Sequence, residues 1–162
     1  MPDRHMRFLI LGNSSIVARR ALPALLQISG VQSIDIASRR PLLQASLPET
    51  WNGTIYDDYR EAITDSQADV VYISLINSLH EEWAETALRS GKHVIVDKPA
   101  FLSLAAAEQL IELAADNGLC LAEAVVFSYH PQFTELQRLI SEHGGVTRLI
   151  ANQSCAGRGH GR

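Results

Sequence analysis

The tripeptide Asp97-Lys98-Pro99 is the first candidate for chemistry in this sequence. It directly follows the apolar run "HVIV", which predicts a buried strand, and packing gives no reason to end such a strand on a charged pair. We expect Lys98, held by the proline after it, to project into a cleft at the end of the strand. There its ammonium group can bind a hydroxyl group and ease the deprotonation of that hydroxyl.

The elements that must position this lysine alternate between strand and helix along almost the whole chain. Short apolar runs predict strands over residues 7–11, 33–38, 69–75, 93–97, 119–124 and 146–152. Apolar residues at helical spacing predict helices over residues 14–28, 57–63, 80–91, 103–118 and 131–145, with a weaker helical pattern over 42–47. This alternation predicts an α/β fold, a Rossmann-like doubly wound parallel sheet with helices on both faces.

Prolines, glycines and capping residues set the limits of several elements. Pro23 lies inside the first helical pattern and should kink that helix or split it in two. Residues 48–53 have the composition of a loop, Gly91 ends one helix as a C-cap, and Ser103 caps the alanine-rich helix after it. The tail after residue 152 has no periodicity and is expected to be loose.

Composition and charge exclude several classes of function. The chain has 162 residues, of which 46% are hydrophobic and 20% charged, and this suits one globular domain with a core. A net charge of −4 argues against nucleic-acid binding, and no apolar stretch has the length of a membrane span or the pattern of a secretory signal. The histidines do not fall at metal-ligand spacing, and Cys120 and Cys155 make no disulfide framework. We therefore expect a cytoplasmic protein without a metal ion.

The loop after the first strand carries part of a dinucleotide-binding fingerprint. Open parallel sheets bind ligands at the carboxyl ends of their strands, and the fingerprint would place glycines at positions 12, 14 and 17. Only Gly12 is present, whereas Ser14 and Val17 occupy the other two places. The Ser14 hydroxyl can itself bond a phosphate oxygen, and Val17 is expected to push the helix slightly away from the strand. Because Gly12-Asn13 is also an ordinary turn, this loop alone leaves both interpretations open.

The loop after the second strand favours NADP over NAD. A site for NAD normally has an acidic residue there for the ribose 2′-hydroxyl, and Asp35 comes too early because it lies inside the strand. Ser38 and Arg39 instead supply a hydroxyl and a guanidinium group, which suit a 2′-phosphate. The alternative is an ordinary solvated arginine pair at the surface.

Further polar residues follow the later strands. Asn77 and His80 lie where a helix begins, so each can cap that helix, and His80 can equally lie at the edge of the core or bind a ligand. Glu123 lies at the end of the strand over residues 119–124, and Lys98 can hydrogen-bond a cofactor ribose as well as a substrate. A serine hydrolase is not supported, since the sequence around Ser14 lacks the glycines of a nucleophile elbow.

Three segments, in order along residues 7–152, resemble the Gfo/Idh/MocA family of oxidoreductases. The strongest, "GKHVIVDKPAFLSLAAAEQLIELA", looks like the family's glycine-led strand, its Glu-Lys-Pro motif and the helix behind it. Residues 57–91 resemble the segment in front of that motif, and residues 122–140 resemble the link that opens the family's second domain. The resemblance implies an NAD(P)-binding domain and hydride transfer between NAD(P) and a hydroxyl carbon of a sugar or cyclitol.

The same resemblance assigns roles to individual residues. Lys98 would be the catalytic lysine, placed between cofactor and substrate. The residues that would bind the cofactor, with NADP favoured and NAD as the alternative, are Gly12, Ser14, Ser15, Ile16, Ser38, Arg39, Leu75, Asn77, His80, Asp97, Lys98 and Glu123.

Several departures from the family pattern bear on activity. Asp97 replaces glutamate, Ile76 replaces proline, and Ser128 stands where arginine is frequent. Family members are also much longer, and their second domain supplies an Asp and a His that complete the catalytic set. We interpret residues 1–122 as the NAD(P)-binding Rossmann domain and residues 123–162 as the incomplete start of a second α/β domain for substrate and oligomerisation, in a truncated product of a longer gene.

Two functions follow from this interpretation. The one we favour is an NADP-dependent dehydrogenase of a small-molecule sugar or cyclitol, homo-oligomeric in its full-length form, whose reaction this short chain need not complete alone. The alternative is a non-catalytic dinucleotide-binding sensor or partner subunit. Without a second domain we expect an exposed apolar set on the last helix and strand, namely Phe133, Leu136, Leu139, Ile140, Leu149 and Ile150.

Overall fold

Six parallel strands form one sheet that organises the first part of the chain. The computed structural model describes residues 5–146 and residue 148. The strands are β1 (Met6–Leu11), β2 (Val31–Ala37), β3 (Ile55–Tyr56), β4 (Val70–Ile73), β5 (His93–Val96) and β6 (Leu121–Glu123). Their spatial order is β3-β2-β1-β4-β5-β6, which is the doubly wound order with its topological switch point between β1 and β4. The predicted Rossmann-like sheet is confirmed.

The register aligns the carboxyl ends of five of these strands. Leu11 pairs with Ala37 of β2 on one side and with Ile73 of β4 on the other. Farther along the same row, Ile73 pairs with Val96 of β5, and Val96 pairs with Glu123 of β6. The residues that come next in the chain therefore lie along a single edge of the sheet, and they are Gly12, Ser38, Ser74, Asp97 and Ala124. We call this edge the carboxyl rim.

Helices cover both faces of the sheet. In the described part of the chain they are α1 (Leu22–Leu25), α2 (Tyr59–Asp65), α3 (His80–Arg89) and α4 (Leu104–Asp116), whereas α5 (Pro131–Glu142) belongs to the second unit described below. Side chains alternate between the two faces of β1, so Leu9 and Leu11 enter the core beneath α2, α3 and α4. Phe8 and Ile10 enter a second core on the opposite face, where Leu22 of α1 is buried. Both cores hold the carboxyl rim on a rigid sheet.

Pro23 divides the first helix, as its position predicts. A π-helical turn over Val17–Ala21 precedes α1, and the backbone N–H of Leu22 bonds the carbonyl of Val17, five residues earlier. Proline has no N–H to donate to the preceding turn, so a local change in helical hydrogen bonding next to Pro23 is expected. Val17 itself is buried in the core and does not face the rim.

Local details between β2 and α2 differ from the sequence prediction. The helical pattern predicted over residues 42–47 is only a 3-10 turn at Gln44–Ser46. The short strand β3 was not predicted, because two residues are too few to show an alternating pattern. Just before β3 the backbone runs so close to β2 that a Cβ at Gly53 would lie 2.0 Å from the carbonyl oxygen of Ile34.

The caps of the helices follow the sequence closely. Ser103 accepts a hydrogen bond from the N–H of Ala106 at the start of α4, and Asp58 caps α2. Gly91, just after α3, has a φ of +74°, which suits the predicted C-cap.

The chain divides into two compact units between Val125 and Val126. The second unit contains a 3-10 turn over Val126–Tyr129 and helix α5, whose first turn is capped by His130. None of the residues of α5 is buried, and Leu136 and Leu139 are among its exposed apolar side chains. The strand predicted over 146–152, with Leu149 and Ile150, and the tail after it lie outside the described residues. Within the described part of the chain, no helix is long and apolar enough to cross a membrane.

Candidate functional site

Gly12 occupies the switch point of the sheet, where the loops after β1 and β4 touch. Its φ is +100°, a conformation that residues with a side chain rarely adopt. A Cβ at this position would lie 2.4 Å from the carbonyl oxygen of Ser74 and 2.9 Å from the side chain of Leu75. The sequence needs glycine here because a side chain would collide with the loop after β4, so Gly12 lets the two loops pack against each other.

A chain of hydroxyl groups links this contact to the end of β5. The hydroxyls of Tyr72 and Ser74 each donate to a different oxygen of the Asp97 carboxylate, at 2.5 Å in both cases. The Ser14 hydroxyl lies 2.8 Å from that of Ser74, and the backbone N–H of Val17 donates to Ser14 at 3.1 Å. The five residues 14, 17, 72, 74 and 97 thus form one hydrogen-bonded network on three neighbouring strands and the loops after them.

The network fixes the state of Tyr72. Burial raises the pKa of the Tyr72 hydroxyl well above its usual range, and the hydrogen bond to Asp97 and the negative charge of Asp97 raise it further. The phenol therefore stays protonated under ordinary conditions and acts only as a donor to the carboxylate.

Arg39 lies on an aromatic surface beside the end of β2. Its guanidinium carbon is 4.9 Å from the ring centre of Tyr59 and 5.8 Å from that of Trp83. The two rings are buried and meet edge to face, with their centres 5.2 Å apart. Arg39 is exposed and forms no salt bridge with any other described residue. A cation held in this way presents its free donors to an anion outside the protein.

Asp58, at the start of α2, is a carboxylate whose pKa is influenced by the charge of Arg39. Its oxygen accepts hydrogen bonds from the backbone N–H groups of Arg60 and Glu61, which caps α2. The pKa of Asp58 is lowered chiefly by the bond from Glu61, and also by the bond from Arg60 and by the positive charges of Arg39 and Arg60. Asp58 and Arg39 form no ion pair in the described part of the chain, so the donors of Arg39 stay available.

Ser38 serves the shape of its own loop. Its hydroxyl donates to the carbonyl of Arg40 at 2.9 Å and accepts from the N–H of Arg40 at 3.2 Å, and its side chain is buried. A serine has a single hydroxyl hydrogen, so this arrangement leaves none for a 2′-phosphate. In this arrangement the Ser38 hydroxyl cannot donate to a 2′-phosphate, and Arg39 is the candidate residue for binding that phosphate. Asp35, as expected, is too early, because it accepts from the N–H of Thr54 within the sheet.

Lys98 extends from the carboxyl rim directly after Asp97. It is exposed, and its ammonium has no hydrogen bond or ion pair with another residue in the described ranges. The Lys98–Pro99 peptide bond is cis. Glu123, predicted to lie near a cofactor, accepts a hydrogen bond from the N–H of Ala100 at 2.9 Å and so holds the backbone just after this proline.

His80 is a structural residue rather than a ligand-binding one. It is fully buried, and each ring nitrogen lies at hydrogen-bond distance from a backbone carbonyl. Nδ1 is 3.0 Å from the oxygen of Pro99, and Nε2 is 3.1 Å from the oxygen of Leu75. Of the roles left open by the sequence, the structure selects a core histidine that ties the loop after β4 to the loop after β5. With both ring nitrogens beside protein carbonyls, the cofactor contact predicted for His80 has no free ring nitrogen in this arrangement and stays a prediction.

The remaining predicted residues surround the same rim. Ile16 and Asn77 are exposed, and Leu75 packs partly against the core beneath α3. The backbone oxygen and hydroxyl of Ser15 accept from the Arg19 guanidinium at 3.1 and 3.3 Å. Four residues of the site were missed by the sequence analysis. Tyr72 and Ser74 lie inside a predicted strand, and Tyr59 and Trp83 lie inside predicted helices, so none of the four stood out as a candidate.

The rim is open in this chain. A cavity of about 460 Å³ lies between the loop after Pro99, helix α4 and β6, and residues Phe101, Leu104, Ile111 and Leu121 are among its lining. A second cavity of about 300 Å³ lies at the opposite edge of the sheet, near Arg7 and Ser33. Lys98 and Gly12 do not line either of these two cavities. Among the residues the structure describes, no group of three His, Cys, Asp or Glu side chains can hold a metal ion.

Comparison with known proteins identifies the family that this fold belongs to. Residues 6–125 match the Gfo/Idh/MocA model, described as an oxidoreductase family with an NAD-binding Rossmann fold. The chain is 35% identical over 133 residues to dTDP-3,4-didehydro-2,6-dideoxy-alpha-D-glucose 3-reductase of Actinomadura kijaniata, which covers 82% of this chain and 40% of the relative. It is 30% identical over 148 residues to scyllo-inositol 2-dehydrogenase (NADP(+)) of Bacillus subtilis, covering 91% of this chain and 45% of the relative.

A solved structure shows the same fold with ligands bound. It is KijD10, a 3-ketoreductase from Actinomadura kijaniata in complex with TDP-benzene and NADP. The two chains share 35% identity with a TM-score of 0.79, over 85% of this chain and 44% of the other. The chain thus spans less than half the length of the relatives it matches.

The bridging role of His80 predicts a large loss of stability when it is removed. His80→Ala should lower the free energy of unfolding by roughly 2–5 kcal/mol, because it leaves a cavity in the core and removes the imidazole that lies at hydrogen-bond distance from both loops. His80→Phe, which fills the space but cannot bond either carbonyl, should be destabilised as well. Urea unfolding followed by circular dichroism measures both effects.

The matched control is His5→Ala, since His5 is exposed. That variant should change the unfolding free energy by less than about 0.5 kcal/mol. A His80→Ala variant as stable as the His5→Ala variant would refute the bridge.

Proposed function

This chain belongs to the Gfo/Idh/MocA family of oxidoreductases, and from that membership we propose that its carboxyl rim binds NADP. The observation that carries this proposal is the free guanidinium of Arg39, held over Tyr59 and Trp83 beside the end of β2. Gly12 supports it, because it lets the loops after β1 and β4 meet at the switch point, which is where open parallel sheets bind ligands. The family relatives named for NADP support the choice of cofactor.

In this proposal the adenosine end lies over the loop after β2. The flat cationic surface of Arg39 would bind the 2′-phosphate through charge-assisted hydrogen bonds. The nicotinamide end would lie toward the loops after β4 and β5. Ile16 and Ile76, both exposed and apolar on the rim, would suit contacts with the uncharged parts of the cofactor.

NADP, when bound, would supply the hydride-accepting or hydride-donating centre of the reaction. We propose that Lys98 manages the accompanying proton. In the reducing direction its ammonium would donate a proton to the oxygen of a substrate carbonyl, and in the oxidising direction its amine would accept the hydroxyl proton. The exposed ammonium, without a partner in the described part of the chain, leaves this residue available to a substrate.

The substrate class follows from the relatives. Those named above act on a dTDP-linked deoxysugar and on an inositol, so we propose a hydroxyl or carbonyl carbon of a sugar or cyclitol as the reacting centre. We propose further that residues 1–122 are the cofactor-binding domain and residues 123–162 begin a substrate and oligomerisation domain. The full reaction and a homo-oligomer would then depend on a complete substrate domain.

A non-catalytic role remains the alternative. A dinucleotide-binding sensor or partner subunit needs Gly12 and Arg39, yet it does not need Lys98. NADPH binding without turnover of any sugar or cyclitol would favour this alternative over a dehydrogenase.

The role proposed for Arg39 predicts a preference for NADPH over NADH. The unsubstituted chain should bind NADPH more tightly, and Arg39→Ala should remove most of the difference by weakening NADPH roughly 10- to 100-fold, the value of one or two hydrogen bonds to a charged group. Binding is measured by the change in NADPH and NADH fluorescence, with circular dichroism confirming that each variant is folded.

Arg60→Ala is the matched control, since the Arg60 guanidinium also lies over Trp83, at 5.6 Å, but on helix α2. It should leave the ratio of the two affinities nearly unchanged. The proposal that Arg39 binds the 2′-phosphate would be refuted if the unsubstituted chain bound both cofactors equally, or if Arg39→Ala and Arg60→Ala had the same effect.

The role proposed for Lys98 predicts a separation of binding from turnover. Lys98→Met should keep the NADPH affinity within about threefold while lowering any turnover at least 100-fold, because it deletes the proton carrier and not a phosphate contact. Lys98→Arg keeps the positive charge but cannot exchange a proton, and it should be as impaired as Lys98→Met. Turnover is followed by NADPH absorbance over a panel of sugars and cyclitols, and retention of turnover in Lys98→Met would exclude the catalytic role.

A further inference from the structure

The hydroxyl network of the carboxyl rim has a defined direction, which follows from counting its hydrogens. Tyr72 and Ser74 donate to the two oxygens of Asp97, the pattern of an ionised carboxylate that only accepts. Ser74 has thereby used its one hydroxyl hydrogen. The bond of 2.8 Å between Ser14 and Ser74 must then take its hydrogen from Ser14.

Ser14 is consequently left without a hydrogen for any ligand. Its hydroxyl donates to Ser74, and its oxygen accepts from the N–H of Val17 at 3.1 Å. The sequence suggested that this hydroxyl can bond a phosphate oxygen, and in the arrangement observed its hydrogen is directed to Ser74 instead. What Ser14 offers outward is an oxygen lone pair, which repels an anion.

Which hydroxyl donates in the Ser14–Ser74 hydrogen bond depends on Asp97, although Asp97 and Ser14 share no hydrogen bond with each other. Ser74 is buried and lies between them, so it is the only described residue hydrogen-bonded to both. An amide at position 97 would keep an oxygen for Tyr72 but would present an N–H to Ser74. Ser74 would then donate to Ser14, and the hydrogen of Ser14 would be free.

We infer that Asp97 is a positioning residue that acts through Ser74 to set the direction of the Ser14 hydroxyl, and thereby limits how tightly the loop after β1 binds the phosphates of the dinucleotide. This inference rests on the proposed function for its ligand. The network itself is a property of the protein without ligand. Asp97 would lower the affinity of this loop for phosphate, and Arg39 would contribute a larger part of the affinity for the cofactor.

The test is a double-substitution cycle on positions 14 and 97. Asp97→Asn should tighten NADPH binding about tenfold, the value of one recovered hydrogen bond to a phosphate. In a Ser14→Ala background the same substitution should lose most of this gain, retaining only the part due to removing a negative charge. In a Ser74→Ala background the coupling between positions 14 and 97 should disappear.

Tyr72→Phe is the matched control, because Tyr72 makes the other hydrogen bond to Asp97 and lies off the branch that leads to Ser14. It should lower stability without changing NADPH affinity by more than about twofold. Thermal unfolding of each variant confirms that affinities are compared among folded proteins.

A readout without nucleotide separates the network from the proposed function. The amide of Val17 donates to the Ser14 oxygen. Its nitrogen and hydrogen chemical shifts in a two-dimensional NMR spectrum therefore report whether the Ser14 hydroxyl donates to Ser74 or accepts from it. Asp97→Asn should move the Val17 peak in the otherwise unsubstituted protein. The same substitution should not move it when Ser74 or Ser14 is already alanine, and Tyr72→Phe should leave it in place. The inference would be overturned if the Val17 peak did not move in Asp97→Asn, or if the effects of the two substitutions on NADPH affinity were additive. A failure of NADPH to bind would overturn only the proposed function.

Discussion

The contact between the loops after β1 and β4 is the constraint on which the rest of the site depends. The two strands are neighbours because the sheet changes its winding direction between them, and their loops meet so closely that only glycine fits at position 12. This closeness brings Ser14 within hydrogen-bond distance of Ser74, and Ser74 within reach of Asp97 on the next strand. The register then puts Lys98 one residue beyond, outside the network and exposed.

The rim separates groups that hold structure from groups that remain available. His80, Glu123 and Ser38 were candidates for ligand contacts, and all three are used by the protein to fix backbone loops. Arg39 follows β2 and Lys98 follows β5, on the same edge of the sheet, and neither has a hydrogen bond or ion pair with another described residue.

Sequence reasoning predicted what depends on local pattern. The helices α3 and α4, with Gly91 and Ser103 at their ends, follow from periodicity and capping, and the place of Lys98 follows from the apolar run before it. It failed where a partner is distant along the chain. The bond between Ser14 and Ser74 joins residues 60 apart, and the direction of that bond is set by a third residue. Likewise, nothing in the spacing of Arg39 indicated the rings of Tyr59 and Trp83 beneath it.

The central claim, that this edge of the sheet is the nucleotide site, is tested most directly by adding NADPH to the isotopically labelled chain and recording its amide NMR spectrum. The account predicts that the peaks of Gly12, Arg39, Ser74 and Lys98 shift, while those of Gly30, Asp69 and His93, at the opposite ends of the strands, stay in place. Shifts confined to the opposite edge, or no shifts at saturating NADPH, would contradict it.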